Sequence, residues 1–172
     1  MKIGLIVEGD SDKKFFEDYF KPKLKKDIIV ISSGGKKSGC KILNKAKVHK
    51  DIEALFKRKC EMVYVLIDLD TQCKVGQQFN CILELKKWYK EKIEIDKFDN
   101  TLVAIVSKEI ESWMLSGWET SDNKSKEDLS NKFQHRKKLR EEDLVKKFLS
   151  SKKDIQRSNN RSLKYFLEKL GL

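Results

Sequence analysis

Three apolar runs, each stopping at acidic residues, constrain this chain more than any other feature. Lys2-Ile3-Gly4-Leu5-Ile6-Val7 leads into Glu8-Gly9-Asp10-Ser11-Asp12, and Met62-Val63-Tyr64-Val65-Leu66-Ile67 leads into Asp68-Leu69-Asp70. Thr101-Leu102-Val103-Ala104-Ile105-Val106 leads into Ser107-Lys108-Glu109-Ile110-Glu111. Short β-branched runs bounded by turn signals read as buried parallel strands, and the C-terminal edge of such a sheet is where α/β proteins place their chemistry. Carboxylates gathered at one edge repel one another. A hard divalent cation that prefers oxygen, above all Mg²⁺, stabilises such a gathering. The pattern therefore predicts a metal site.

Between the runs the periodicity turns helical. Ser11 or Asp12 caps a helix through Phe15, Phe16, Tyr19 and Phe20, which Pro22 is expected to end. Asp27 to Ser32 reads as a further strand, followed by a glycine-rich basic loop and a helix with the stripe Ile42, Ala46, Ile52, Leu55 and Phe56. Phe79, Ile82, Leu83, Leu85 and Trp88 mark the helix after the Asp68 run, and Ile110, Trp113, Met114 and Leu115 the one after Ser107. Alternating strands and helices predict an α/β fold: a mainly parallel, Rossmann-like sheet of about four strands with flanking helices. The composition turns polar at Glu119 to Ser125, and everything beyond reads as helix or loop. We expect an α/β domain over residues 1–117 and a helical C-terminal extension over residues 118–172, packed on the same core.

A net charge of +11 over 172 residues, carried by 38 Lys and Arg against 27 Asp and Glu, suits a polyanionic partner, DNA or RNA. A lysine-rich source composition is the competing account of that charge. Cys40, Cys60, Cys73 and Cys81 form no CxxC pair, which argues against structural zinc and for reduced thiols. With no signal-peptide pattern and no apolar run of membrane-spanning length, the expectation is a cytoplasmic protein without a membrane partner.

Individual motifs carry the chemistry further. Asp68 and Asp70, two apart on a strand end, present both carboxylates to one side. Gly9 lets the backbone turn sharply after Glu8. Asp12, one helical turn on, reads equally as a ligand of the same ion or as a helix cap. Glu109 and Glu111 can both serve the site only if the strand persists to about residue 110, which favours Glu109. The loop Gly34-Gly35-Lys36-Lys37-Ser38-Gly39-Cys40-Lys41 has the outer glycine spacing of a P-loop, but Cys40 and Lys41 stand where its lysine and hydroxyl belong, so an ATPase reading fails. Gly34, Gly35, Lys36, Lys37 and Lys41 remain candidates to hold a nucleic-acid phosphate. Basic clusters at Lys45 to Lys47, Arg136 to Arg140, and Lys152 to Arg161 are further candidates or else solvated faces.

Taken together, Ile6-Val7-Glu8-Gly9, Ile67-Asp68-Leu69-Asp70 and the basic Gly34-Gly35 loop between them resemble the Toprim domain of topoisomerases, primases and related nucleases. The spacing Glu8-x-x-x-Asp12 with Ser107-x-Glu109 is most similar to the Toprim part of the overcoming-lysogenization-defect (OLD) nucleases and their small stand-alone relatives. The resemblance covers about the first 117 residues. It implies Mg²⁺ or Mn²⁺ on Glu8, Asp68 and Asp70, with Asp12, Ser107, Glu109 and Glu111 serving a second ion as ligands or behind the ligands. It implies phosphodiester hydrolysis with Glu8, Asp68, Asp70 and Glu109 as the catalytic set, in phage defence or DNA repair, and a separate ATPase or other protein as partner. A non-catalytic binding module and a small ribonuclease acting on structured RNA are the alternatives. The chain departs from its larger relatives in lacking an attached ATPase domain, and no topoisomerase-type tyrosine is implied.

Overall fold

The computed structural model describes residues 1–34, 39–69, 79, 81–133 and 139–172. Four strands, β1 (Lys2–Val7), β2 (Asp27–Ser32), β3 (Met62–Asp68) and β4 (Thr101–Val106), form one parallel sheet in the order β2-β1-β3-β4. The fold is therefore α/β and Rossmann-like, as the alternation predicts. The central strand β1 is buried from Ile3 through Val7, the run of apolar residues expected when helices cover both faces of a parallel sheet. Its register sets Ile6 beside Ile31 on one side and Val65 on the other.

Two successive crossovers run in opposite directions across the sheet. The first runs to β2 through α1 (Asp10–Phe15), a π-helical stretch at Phe16–Phe20, and α2 (Lys21–Leu24). The second leads from β2 through α3 (Lys45–Lys57) to β3 on the far side of β1. Right-handed crossovers in opposite directions place α1 and α3 on opposite faces. The α1 face is filled by Phe15, Phe16 and Phe20, whose rings pack 4.9–5.5 Å apart. The other face is filled by Ile6, Val63, Val65 and Ile67 of the sheet with Val48, Ile52 and Leu55 of α3.

At Gly4 the α3 face comes so near that an added Cβ would stand 2.8 Å from Leu55 Cδ1. Glycine here is a packing requirement of strand against helix. Ala46, expected on the α3 stripe, is exposed instead. Asn44 caps α3 by accepting from Lys47 N–H, which leaves Ile42 in the 3₁₀ turn before it.

The first helical segment runs past Pro22, where it was expected to end, and stops after Leu24 at Lys25, whose φ is 50°. Proline has no N–H and crowds the carbonyl four residues back. The wide π turn, closed by Lys21 N–H on Phe16 C=O, opens the backbone at that point. After β3 come α4 (Ile82–Trp88) and a second π stretch at Tyr89–Ile93. Leu85, Tyr89 and Ile93 enter the core from these elements, whereas Leu83, expected on the buried stripe, is 77% exposed.

The chain divides into two compact units, Met1–Ile105 and Val106–Leu172. The second holds α5 (Ile110–Leu115), α6 (Lys126–Lys132), α7 (Glu141–Ser150) and α8 (Arg161–Lys169). Trp113 and Phe166 stack in its core with centroids 5.2 Å apart. A buried polar cluster ties its elements together. Asn160 caps α8 by accepting from Leu163 N–H, and its amide donates to Ser112 Oγ and Ser121 Oγ, each at 3.2 Å. Ser162 Oγ donates to Asn160 Oδ1 and accepts from Trp113 Nε1 at 2.8 Å. Each of these buried polar atoms has a partner, as burial demands. Among the described residues no helix is long and apolar enough to cross a membrane.

Candidate functional site

The strand order reverses direction between β1 and β3. In an open parallel sheet that reversal opens a crevice beyond the carboxyl ends of the two strands, and ligands bind there. Glu8 follows the last residue of β1 and Asp68 is the last residue of β3, so the fold puts both at the crevice. They are in contact: Asp68 N–H donates to Glu8 Oε1 at 2.9 Å. Both residues are half-buried. The Glu8 backbone is fixed as well, because the β1–β2 ladder runs on past β2 through Ser33 N–H to Val7 C=O (2.9 Å) and Gly34 N–H to Glu8 C=O (2.8 Å). The buried Gly34, the first residue of the basic loop, is thereby joined to the strand that carries Glu8.

Gly9 takes φ −126° and ψ 171°, extended backbone open to any residue, so the sharp turn expected of it is not there. Among the described residues, a Cβ at Gly9 would meet only Asp12 Oδ2 at 3.7 Å and Ser11 N at 4.0 Å. Asp12 acts as a cap: its Oδ2 accepts from Gly9 N–H at 3.0 Å at the start of α1. Asp10 reaches across to β2, accepting from Ser32 Oγ at 2.6 Å. Lys41 is exposed in the 3₁₀ turn Gly39–Leu43. Asp70, Gly35, Lys36 and Lys37 lie outside the described residues.

Sequence reasoning passed over Asp51. It is a buried carboxylate, 5% exposed, that accepts from Ser33 Oγ at 2.6 Å and pairs with Lys47 on the preceding turn of α3. Its signal was legible, because Asp51 falls on the helical stripe of Val48, Ile52 and Leu55, where a charge needs a partner. Tyr89 was passed over too. Its hydroxyl donates to Ile42 C=O at 2.9 Å, and its phenol is pushed well above the usual 10.0 by burial and then by the nearby charges of Glu8 and Asp51. Lys45 and Lys47, read as candidate phosphate contacts, are paired with Glu94 and Asp51. His49 Nε2 donates to Ile93 C=O at 2.6 Å, and its ring packs on Phe98.

In the second unit, β4 ends at Val106 and α5 begins at Ile110, so the strand does not persist far enough to set Glu109 and Glu111 on one side. A tight turn lies between, closed by Lys108 N–H on Val106 C=O at 2.9 Å. Lys108 has φ 136°, a conformation that costs a side-chain-bearing residue roughly 1–3 kcal/mol. Ser107 holds this turn by donating its N–H to Ser162 Oγ at 3.1 Å. Glu109 Oε2 accepts from Lys126 N–H at 2.5 Å at the start of α6. Glu111 is buried on the first turn of α5. The Lys126 ammonium is raised by its hydrogen bond to Glu141, with the charges of Glu141, Glu109 and Glu111 adding to the effect.

Among the described residues no three His, Cys, Asp or Glu side chains gather as a metal-holding group. Glu8 and Asp68 form a pair of hard oxygen donors, the donor type that suits Mg²⁺ or Mn²⁺.

Fold and site together define a doubly wound α/β protein with Glu8 and Asp68 at the two strand ends of its topological switch point. The chain belongs to DUF4276, a domain family of unknown function, whose model matches residues 7–169. The match takes in both compact units, so the C-terminal helices are part of the family's own domain. Comparison with curated proteins and with solved structures gave no match.

Proposed function

We propose that this protein is a divalent-metal-dependent nuclease of Toprim type that hydrolyses phosphodiester bonds in DNA or RNA, with a place in phage defence or DNA repair. The observation that carries the reading is the hydrogen bond from Asp68 N–H to Glu8 Oε1, which joins the two acidic strand ends at the switch point. Glu8, Asp68 and Asp70 would hold Mg²⁺ or Mn²⁺. When bound, such an ion lowers the pKa of water to give a nucleophile and stabilises charge on the departing oxygen. The chain's own residues do the rest. Glu8 and Asp68 set the negative edge, while Gly34 and Ser33 pin the Glu8 backbone through the extended β1–β2 ladder. The strongly basic composition draws a polyanion toward that edge.

The test compares wild type with Asp70→Asn, purified in parallel, on DNA and RNA substrates in Mn²⁺ and in Mg²⁺. We expect slow cleavage, stronger in Mn²⁺, that falls at least ~10²-fold in Asp70→Asn, because losing transition-state charge stabilisation costs several kcal/mol. Equal cleavage by the two preparations identifies a contaminant. Absence of cleavage by wild type on every substrate and metal assigns the site to a binding module.

A further inference from the structure

We propose that the loop between α7 and α8 is a preformed seat for the phosphate backbone of a nucleic acid, made by Lys152, Lys153 and Arg157. The inference deepens the nuclease reading by locating a substrate contact on the second unit. It also rests on observations that do not involve the metal site.

Four basic residues stand in or beside this loop, and the structure sorts them. Arg161 is spoken for: its Nε lies 3.0 Å from Asp122 Oδ2 and its N–H donates to Asp122 Oδ1 at 2.6 Å. Lys152, Lys153 and Arg157 are exposed and have no ion pair among the described residues. Elsewhere the lysines on the helices are commonly matched to an acid one turn away, as in Lys13 with Glu17, Lys14 with Asp18 and Lys164 with Glu168. Lys152, Lys153 and Arg157 face solvent with one acid, the exposed Asp154, among them, so the loop carries a net positive charge that an anionic partner can meet.

The loop is also held in place. Gln156 N–H donates to Ser116 Oγ at 2.9 Å, Asn159 Nδ2 donates to Ser116 C=O at 2.8 Å, and Ser121 N–H donates to Asn159 C=O at 2.9 Å. Gly117 brings α5 so near that an added Cβ would stand 2.9 Å from Asp154 O. Lys152 sits at φ 55°, a left-handed position kept by these surroundings. A solvated charge run needs no such fastening. A loop whose backbone is already held binds without the cost of ordering that backbone, and the planar guanidinium of Arg157 suits a phosphate diester. The loop presents no exposed large apolar side chain, because Ile155 is half-buried. That favours nucleic acid over a lipid surface, where a loop of this size needs an apolar anchor.

The test is fluorescence anisotropy with a labelled DNA duplex, its single strand and the matching RNA, in EDTA so that no cleavage occurs. The triple variant Lys152→Ala, Lys153→Ala, Arg157→Ala should bind at least ~10-fold more weakly at low salt. Its slope of log affinity against log salt should be shallower by roughly two to three, about 0.7–0.9 for each lost phosphate contact. Arg157→Glu alone should weaken binding in the same direction, and Arg161→Ala should leave the slope unchanged. Melting curves within a few degrees of wild type confirm that the loop variants are folded. Identical slopes for wild type and the triple variant overturn the proposal, even if the protein cleaves nucleic acid. So does wild type that binds phosphatidylserine vesicles but none of the three nucleic acids. Loss of slope in the triple variant upholds it even where Asp70→Asn shows that the nuclease reading has failed.

Discussion

Glu8 has two duties that substitution can separate. Its carboxylate accepts from Asp68 N–H, and its charge makes the crevice negative. Glu8→Gln keeps an acceptor oxygen and removes the charge. Stability should therefore change by less than about 0.5 kcal/mol, while Mn²⁺ affinity measured by calorimetry falls at least ~10-fold. Glu8→Ala also leaves Asp68 N–H unpaired and should cost about 1–3 kcal/mol in urea denaturation. The same substitutions have a second readout in Tyr89, whose phenol is raised by burial and then by the charges of Glu8 and Asp51. Absorbance titration should show its ionisation moving down toward 10.0 in Glu8→Gln. Because the folded phenol stays protonated where the unfolded one ionises, this group's stabilisation is full below pH 10.0 and is lost as pH rises beyond it. A Tyr89 titration identical in wild type and Glu8→Gln would contradict the proximity of the two groups.

Among the elements, the closest fit is that of β1 against α3. Gly4 adopts no unusual dihedral that demands glycine; the Leu55 side chain demands it, with Cδ1 at 2.8 Å and Cβ at 3.1 Å from an added Cβ. Leu55 is fully buried, so any shift it makes to admit a methyl displaces core neighbours. Gly4→Ala should cost about 1–3 kcal/mol through overpacking. In a Leu55→Ala background the same change should cost less, because the new methyl fills space the leucine has left. A double-mutant cycle by denaturation checks this, and simple additivity would rule out the contact as the cause. The strands were legible because β-branched runs bounded by turn residues have few other outcomes. The helix starting at Asp10 was legible except at Pro22, where a π turn let the helix continue.

At the scale of the molecule, ligand binding at one edge stabilises the folded unit as a whole. A divalent ion that binds only the native state adds about 2.7 kcal/mol when present at a hundredfold over its dissociation constant. For a chain of this length that corresponds to a rise in Tm of roughly 5–10 °C. Scanning calorimetry should show such a rise with Mn²⁺ in wild type and none in Glu8→Gln or Asp68→Asn. A rise of equal size in all three would place the ion elsewhere on the protein. The family match across both units bears on design of such experiments, since residues 106–169 belong to the same family domain as the sheet.

The sequence by itself determined the alternation of strands and helices, the parallel sheet, and the delivery of Glu8 and Asp68 to strand ends. Each of these follows from local periodicity and from the position of acids after apolar runs. It did not determine which of those acids have other engagements. Asp12 could be read as ligand or cap, and in the fold its oxygen accepts from Gly9 N–H. Glu109 looked like a partner for the strand-end acids, yet its carboxylate meets Lys126 N–H, seventeen residues away. Asp51 gained its role from Ser33, which arrives from another element, and the basic residues near α8 were told apart only by Asp122 taking Arg161 and leaving the others. Local pattern specifies which element a residue joins. The partners of a polar side chain are fixed by long-range packing, and so by tertiary structure alone.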